Sequence, residues 1–271
     1  MKIGIISLGL IGASLLKALS DKGFDLICVT RNSDAIQKAK KLGAQASNDI
    51  FTLKDCEIIF VCSPISVTLD FLDKLENIAD KNCIVLDTAS VKEFVMQKKR
   101  PYKFIGSHPM AGTEKNGFDA GFKELFEGAK WVLCPSDNIK EEDIKKVKTI
   151  IEQTGAITIN ADPKEHDFAV ALISHAPMYI SQAIFGTIKN NELAKKLASS
   201  GFRDMTRLAV SNTQMAEDML NYNDKNISKA LEEFKKAMTF LQDNYREKIE
   251  QIAEERKKMY SKDGKNIYSG F

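Results

Sequence analysis

Runs of consecutive apolar, often β-branched residues recur through the first 160 residues. Lys2–Ser7, Asp25–Thr30, Ile58–Cys62 and Cys83–Leu86 predict strands, with Phe104–Ser107, Trp131–Cys134 and Ala156–Asn160 as weaker candidates. Continuous apolar runs, unlike alternating ones, belong to strands covered on both faces, as in a parallel sheet. Helical stretches, Ile11–Lys22 and Asp34–Lys41 among them, lie between the strands. Alternating β and α elements predict a doubly wound α/β domain of Rossmann type.

From residue 162 the strands stop. Asp162-Pro163-Lys164-Glu165 carries a helix start: a capping Asp, a Pro suited to the first helical position, and a Glu placed to reach back. The helix it opens runs through His175, and Pro177 should kink it. Ile227, Leu231, Phe234, Met238, Leu241, Tyr245 and Ile252 form one apolar stripe on a final long, heavily charged helix. Such a stripe needs cover, either a second subunit or the chain's own helices. The expected organisation is a Rossmann-type α/β domain over residues 1–161 and an all-helical domain over 162–271, with only Ser261–Phe271 loosely held.

The chain has 271 residues, long enough for two domains. Hydrophobic residues make up 44% and charged residues 28%, so both halves can build cores. A net charge of +2 advertises neither nucleic acid nor an anionic membrane as partner. No apolar run reaches the roughly 18 residues of a membrane span, and the N-terminus is not a cleavable leader. The five cysteines show no C-x-x-C pair and four sit in strand-like runs. They read as buried thiols of a cytoplasmic protein, with no metal site or disulfide expected.

The first strand leads into Ser7-Leu8-Gly9-Leu10-Ile11-Gly12 and then a helix. This is the setting a G-x-G-x-x-G dinucleotide fingerprint requires. Gly9 lets the backbone approach a pyrophosphate, Gly12 allows close helix–strand packing, and the helix N-terminus presents amides to the anion. Ser7 replaces the first glycine; an ordinary βα turn is the competing reading. The second strand ends in Thr30-Arg31-Asn32-Ser33, with no acid before Asp34 to hold a ribose 2′-hydroxyl. Arg31 stands where a 2′-phosphate would sit, which favours NADP over NAD. Were Arg31 only a solvated surface residue, NAD would stay open.

Three histidines occur, His108, His166 and His175. His108 follows the strand Phe104–Ser107, at the edge of the sheet where α/β folds place ligands, and imidazole can take a proton from a hydroxyl. His166 and His175 are nine residues apart, a half-turn offset on a regular helix. Phe168 and Leu172 share the face of His175, so His175 is expected buried. His166, between Glu165 and Asp167, is expected in an exposed first turn without a catalytic role. Trp131 reads as a packing residue.

The whole chain resembles the prephenate/arogenate dehydrogenase family of tyrosine biosynthesis. The motifs are Gly9–Leu15, Asp87–Lys92, Ser107–Glu114, Ser174-His175-Ala176-Pro177 and Gly201–Arg207, in family order. The resemblance implies NAD(P)-dependent oxidative decarboxylation of prephenate, arogenate or both, in a homodimer joined through the helical domain. It implies that His108 accepts the proton of the ring 4-hydroxyl as hydride leaves C4, and that Ser90 hydrogen-bonds the same hydroxyl. It implies that Arg207 binds a substrate carboxylate, that Glu114 and His175 lie at the substrate pocket, and that Ser63 and Pro64 pass the ribose and nicotinamide. Each has a plainer reading: His108 capping a loop, Ser90 capping a following helix, Glu114 opening a helix over Asn116–Phe122, Arg207 or Arg203 in a surface ion pair, His175 in a core, Pro64 ending a strand. Met178 stands where some members carry a second histidine. A different two-domain reductase, such as a β-hydroxyacid dehydrogenase, would present a catalytic lysine on a helix of the second domain. A non-catalytic dinucleotide sensor is the other rival, and only Ser7 leans toward it.

Overall fold

The computed structural model describes residues 1–242 and 245–260; the tail Ser261–Phe271 lies outside the described residues. Eight strands form one sheet: β1 Lys2–Ile6, β2 Asp25–Val29, β3 Gln45–Ser47, β4 Ile58–Val61, β5 Ile84–Asp87, β6 Lys103–Pro109, β7 Lys130–Pro135 and β8 Ile157–Asn160. Their order is β3-β2-β1-β4-β5-β6-β7-β8. The first six run parallel, and β7 turns antiparallel to β6 and carries β8 parallel to itself. The parallel portion has the Rossmann order, whose direction of winding reverses between β1 and β4. The three-residue β3, with only Ala46 buried, carries no apolar run and was not legible beforehand.

Each apolar strand divides its side chains between two cores, because successive residues point to opposite faces. Ile5, Phe60, Leu86 and Ile105 join Leu15, Leu16 and Leu19 of α1 (Leu10–Leu19) on one face. Ile6, Val61, Val85 and Phe104 join Leu72 and Leu75 of α3 (Ile65–Leu75) on the other. Helix α2 (Ser33–Lys41) and helix α4 (Glu141–Glu152) complete the layers. Trp131 is fully buried in β7, edge-on to Phe60, as its packing role required. All five cysteines are free and buried.

The helical part begins where expected. In α5 (Pro163–Val170) the Asp162 carboxylate accepts from the amides of Lys164 (2.8 Å) and Glu165 (3.2 Å), with Pro163 in the first turn. The predicted disturbance at Pro177 takes the form of a π-helical turn, Ala171–His175, leading into α6 (Ala176–Thr187). Proline has no N–H to donate to the carbonyl four residues back, and a wider turn absorbs the mismatch. The turn also changes the angular phase. Leu172 is exposed and Phe168 only half-buried, against the stripe expected for them. On length and composition alone, the 25-residue run Pro163–Thr187 is apolar enough to cross a membrane, which corrects the reading that no such run exists. Here it carries the buried polar side chains His166, Asp167, His175 and Ser181.

Short helices α7 (Glu192–Leu197) and α8 (Ser200–Met205) precede α9 (Thr213–Gln242), which kinks at Asn223, and α10 (Tyr245–Met259). The apolar stripe is covered at its start only: Ile227 and Leu231 pack on Ala171 and Ala176. Further along, Phe234 is 41% and Tyr245 65% exposed, with Met238 and Ile252 likewise open. The two halves of the chain are joined by Phe94 stacked on Tyr222 at 4.1 Å and by the Ser66 amide donating to Asp218 (3.2 Å).

Candidate active site

The turn after β1 has the shape a dinucleotide needs. Ser7 sits at φ +68°, the left-handed conformation that glycine takes without strain, and its amide still donates to the Val29 carbonyl (2.8 Å). A Cβ on Gly12 would lie 2.0 Å from the Ser7 carbonyl oxygen, so this position admits only glycine. A Cβ on Gly9 would meet nothing, leaving room for a ligand to approach the backbone. No side chain caps the start of α1, so its first amides are available to an anion. Leu8 is buried in the core below, while Leu10 and Ile11 are half-buried in the first turn.

Thr30, Arg31 and Asn32 follow β2. Arg31 is exposed and in no ion pair among the described residues. Asn32 uses its side-chain carbonyl to accept from the amides of Asp34 (3.0 Å) and Ala35 (3.1 Å), capping α2. After β4, the Ser63 hydroxyl hydrogen-bonds Thr68 (3.0 Å), and Pro64 sits at the N-cap of α3. These residues lie at the reversal of strand order, the place where open α/β sheets hold their ligands.

The second cluster lies at the carboxyl ends of β5 and β6. His108 is within β6, opposite Val132, and not in a loop after it. No helix follows Ser90, so that capping role is removed; Ser90 is half-buried in the segment leaving β5. Beneath it, Lys92 Nζ is paired with the Asp87 carboxylate, both side chains fully buried. Lys92 also donates to the Ser107 carbonyl (2.7 Å), and Asp87 accepts from the amides of Ala89 and Ser107 (both 2.9 Å). Every polar atom of this buried pair has a partner, the condition under which burying charge is tolerable.

His166 corrects the sequence expectation most sharply. It is 4% exposed, and its Nε2 lies 3.0 Å from Nδ1 of His108, with the rings edge to face. Its Nδ1 lies 2.7 Å from Oδ1 of Asp167. Asp167 in turn accepts from the backbone amides of Lys92 (2.7 Å) and Glu93 (2.8 Å), tying α5 to the segment after β5. The flanking acids gave His166 the look of a solvated first turn. What buries it is the sheet, more than 50 residues away in sequence. The available signal was a His-Asp pair at the first helix beyond the sheet, in a chain with three histidines.

His175 is 1% exposed, as expected. Its Nδ1 lies 3.1 Å from the Asn223 amide nitrogen, which also donates to the Asp167 carbonyl (2.9 Å). Its Nε2 is buried and has no hydrogen-bond partner among the described residues. Burial lowers its pKa to about 4, against a partial opposing pull from Asp167. Burial also holds His108 well below the ordinary imidazole range, helped by His166, Lys92 and His175 nearby.

The remaining candidates lie apart from this network. Glu114 is exposed beside a cavity of about 370 Å³ that also takes in Lys115 and Gly121. The helix expected over Asn116–Phe122 is a single 3-10 turn, Phe118–Ala120. Arg207 is exposed at the start of a 3-10 turn, Arg207–Val210, and lines a cavity of about 460 Å³ with Arg203, Asp204, Thr206 and Phe185. Among the described residues, no hydrogen bond links Ser90, Glu114 or Arg207 to His108.

A Rossmann sheet, an open glycine turn and a histidine cluster, half-buried at His108 and buried at His166 and His175, where the helical part meets the sheet define a nicotinamide-dependent dehydrogenase. The chain matches the family models "Prephenate dehydrogenase, nucleotide-binding domain" over residues 15–160 and "Prephenate dehydrogenase, dimerization domain" over residues 162–258. It belongs to the prephenate dehydrogenase family. A prephenate dehydrogenase of Bacillus subtilis is 28% identical over 98% of this chain and 75% of its own length. The arogenate dehydrogenase of Synechocystis superposes with a TM-score of 0.82 at 33% identity, covering 94% of this chain and 97% of that one. The prephenate dehydrogenase of A. aeolicus, solved with hydroxyphenyl propionate and NAD+, superposes at 0.83 with 27% identity and the same coverage.

Proposed function

We propose that this protein oxidatively decarboxylates prephenate, arogenate or both, with His108 as the base. The observation that carries the reading is His108 itself: an imidazole kept neutral by burial, on the strand beside the Asp87–Lys92 segment. Neutral imidazole can accept the proton of the ring 4-hydroxyl. A bound nicotinamide supplies the hydride acceptor. As the hydroxyl proton passes to His108, the C4 hydride departs, the C1 carboxylate leaves as CO2 and the ring becomes aromatic. Aromatisation supplies the driving force, so the chain's task is to orient the ring and take one proton. Ser90 is assigned to the same hydroxyl, Arg207 to a substrate carboxylate, and Glu114 and His175 to the substrate pocket. Ser7–Gly12, Thr30–Asn32, Ser63 and Pro64 are assigned to the cofactor.

Arg31 favours NADP, since a free guanidinium at the end of β2 suits a 2′-phosphate. Homodimer formation through α9 and α10 would cover the open apolar stripe, in keeping with the family's dimerization model. Ser7 adopts the positive φ of the missing glycine, which supports an intact fingerprint turn. The test is kcat/KM for prephenate and arogenate, each with NAD and NADP, followed by reduced-cofactor absorbance. Turnover with NADP preferred supports the whole reading. A preference for NAD overturns the role of Arg31 alone. Cofactor binding without turnover in any combination overturns the activity.

A further inference from the structure

We infer that His166 and Asp167, on the first helix of the helical part, are positioning residues that set the tautomer of His108 and leave its Nε2 lone pair free for the substrate hydroxyl. This rests on the reading of His108 as base. Asp167, His166 and His108 are linked in one hydrogen-bonded chain. Both Asp167 oxygens accept from backbone amides, and Oδ1 also faces His166, an acceptor load that suits a carboxylate. A carboxylate only accepts, so the 2.7 Å contact requires the proton on Nδ1 of His166. A neutral His166 then offers a lone pair at Nε2. The 3.0 Å contact to His108 is filled only if His108 donates from Nδ1. His108 is left unprotonated at Nε2, the atom a base needs.

The opposite tautomer of His166 would set a lone pair against the Asp167 oxygen in a buried place where mismatched polar groups are costly. Were the contact reversed, with His166 donating from Nε2, the His108 proton would sit on Nε2 and its use as acceptor there would be lost. The same Asp167 clamps the amides of Lys92 and Glu93, so the base has its working tautomer only when helix α5 is seated on the sheet.

The test begins with the full chain labelled with 15N-histidine, whose three imidazoles can be assigned by single substitutions. In wild type, His108 should show a protonated Nδ1 and an unprotonated Nε2 at neutral pH. A proton on His108 Nε2 overturns the proposal, and this arm needs no substrate, so it stands even if the proposed reaction fails. Next, His166→Leu should lower kcat on the order of 10²- to 10³-fold with KM changed by less than about 3-fold. His166→Gln, whose carboxamide oxygen can still accept from Nδ1, should recover about 10-fold of that loss, on the scale of what a hydrogen-bonded support for a reacting group is worth. A His166→Leu enzyme that folds, binds cofactor and keeps kcat within about 3-fold of wild type also overturns it, since no part of a general-base effect would then depend on His166. Should His166→Leu fail to fold, the wild-type spectrum and His166→Gln decide, with His108 in the Gln variant expected to keep its proton on Nδ1.

Discussion

At residue scale, the histidines show how burial sets chemistry. His108 must be neutral to act as base, and its pKa is held down by burial. A base stays competent at every pH above its own pKa. The acid limb of kcat/KM should therefore fall below the ordinary imidazole value of about 6.5. A pH–rate profile that bends at or above that value would contradict the assignment. His108→Asn should retain cofactor binding and lose about 10²- to 10⁴-fold in kcat, which isothermal titration and single-turnover absorbance measure separately. His175 bears on stability. Its folded pKa of about 4 lies below 6.5, so the unfolded chain takes up a proton that the folded one refuses. Stability from this group is complete above 6.5 and is lost as pH falls toward 4, by on the order of 3 kcal/mol in full. Urea midpoints at pH 7 and pH 5 should converge less for wild type than for His175→Gln, which cannot titrate. Ser7→Gly should raise stability by up to about 1 kcal/mol, the left-handed penalty less the entropy glycine brings to the unfolded chain. Thermal unfolding at constant pH reads that gain.

At the scale of elements, the segment between β5 and β6 is held by buried charge and not by helical regularity. Removing one member of the Lys92–Asp87 pair leaves the other uncompensated. Lys92→Met should cost about 3–5 kcal/mol, as for other broken buried pairs; denaturant unfolding would show it, and a loss under 1 kcal/mol would mean water reaches Asp87. The π turn is the other element-level feature. A uniform 100° per residue over Pro163–His175 puts His166 and His175 on opposite faces and Leu172 inside. The wider turn before Pro177 breaks that phase, and both histidines end up buried while Leu172 does not. Asp162 as cap and Pro163 in the first turn were legible because capping is decided within four residues.

At the scale of the whole molecule, the helical part does two things. It supplies His166 and Asp167 to the sheet, and it leaves the far half of its apolar stripe open. A pair of charges there, Phe234→Lys with Met238→Glu, should shift the assembly toward monomer in sedimentation, while leaving the monomer's sheet intact by circular dichroism. Unchanged sedimentation would rule out the stripe as the subunit contact. All the strands but β3, the glycine turn, the candidate base and the change to helices at residue 162 were readable from the chain. Each depends on neighbours in sequence: an apolar run, a turn's backbone conformation, a cap. The direction of β7, the placing of His108 inside a strand, the Asp87–Lys92 pair, and above all the His108–His166–Asp167 chain were decided only by the tertiary structure. Those features join residues up to 58 positions apart, and whether a charged residue is solvated or buried depends on what folds over it, which no local pattern records.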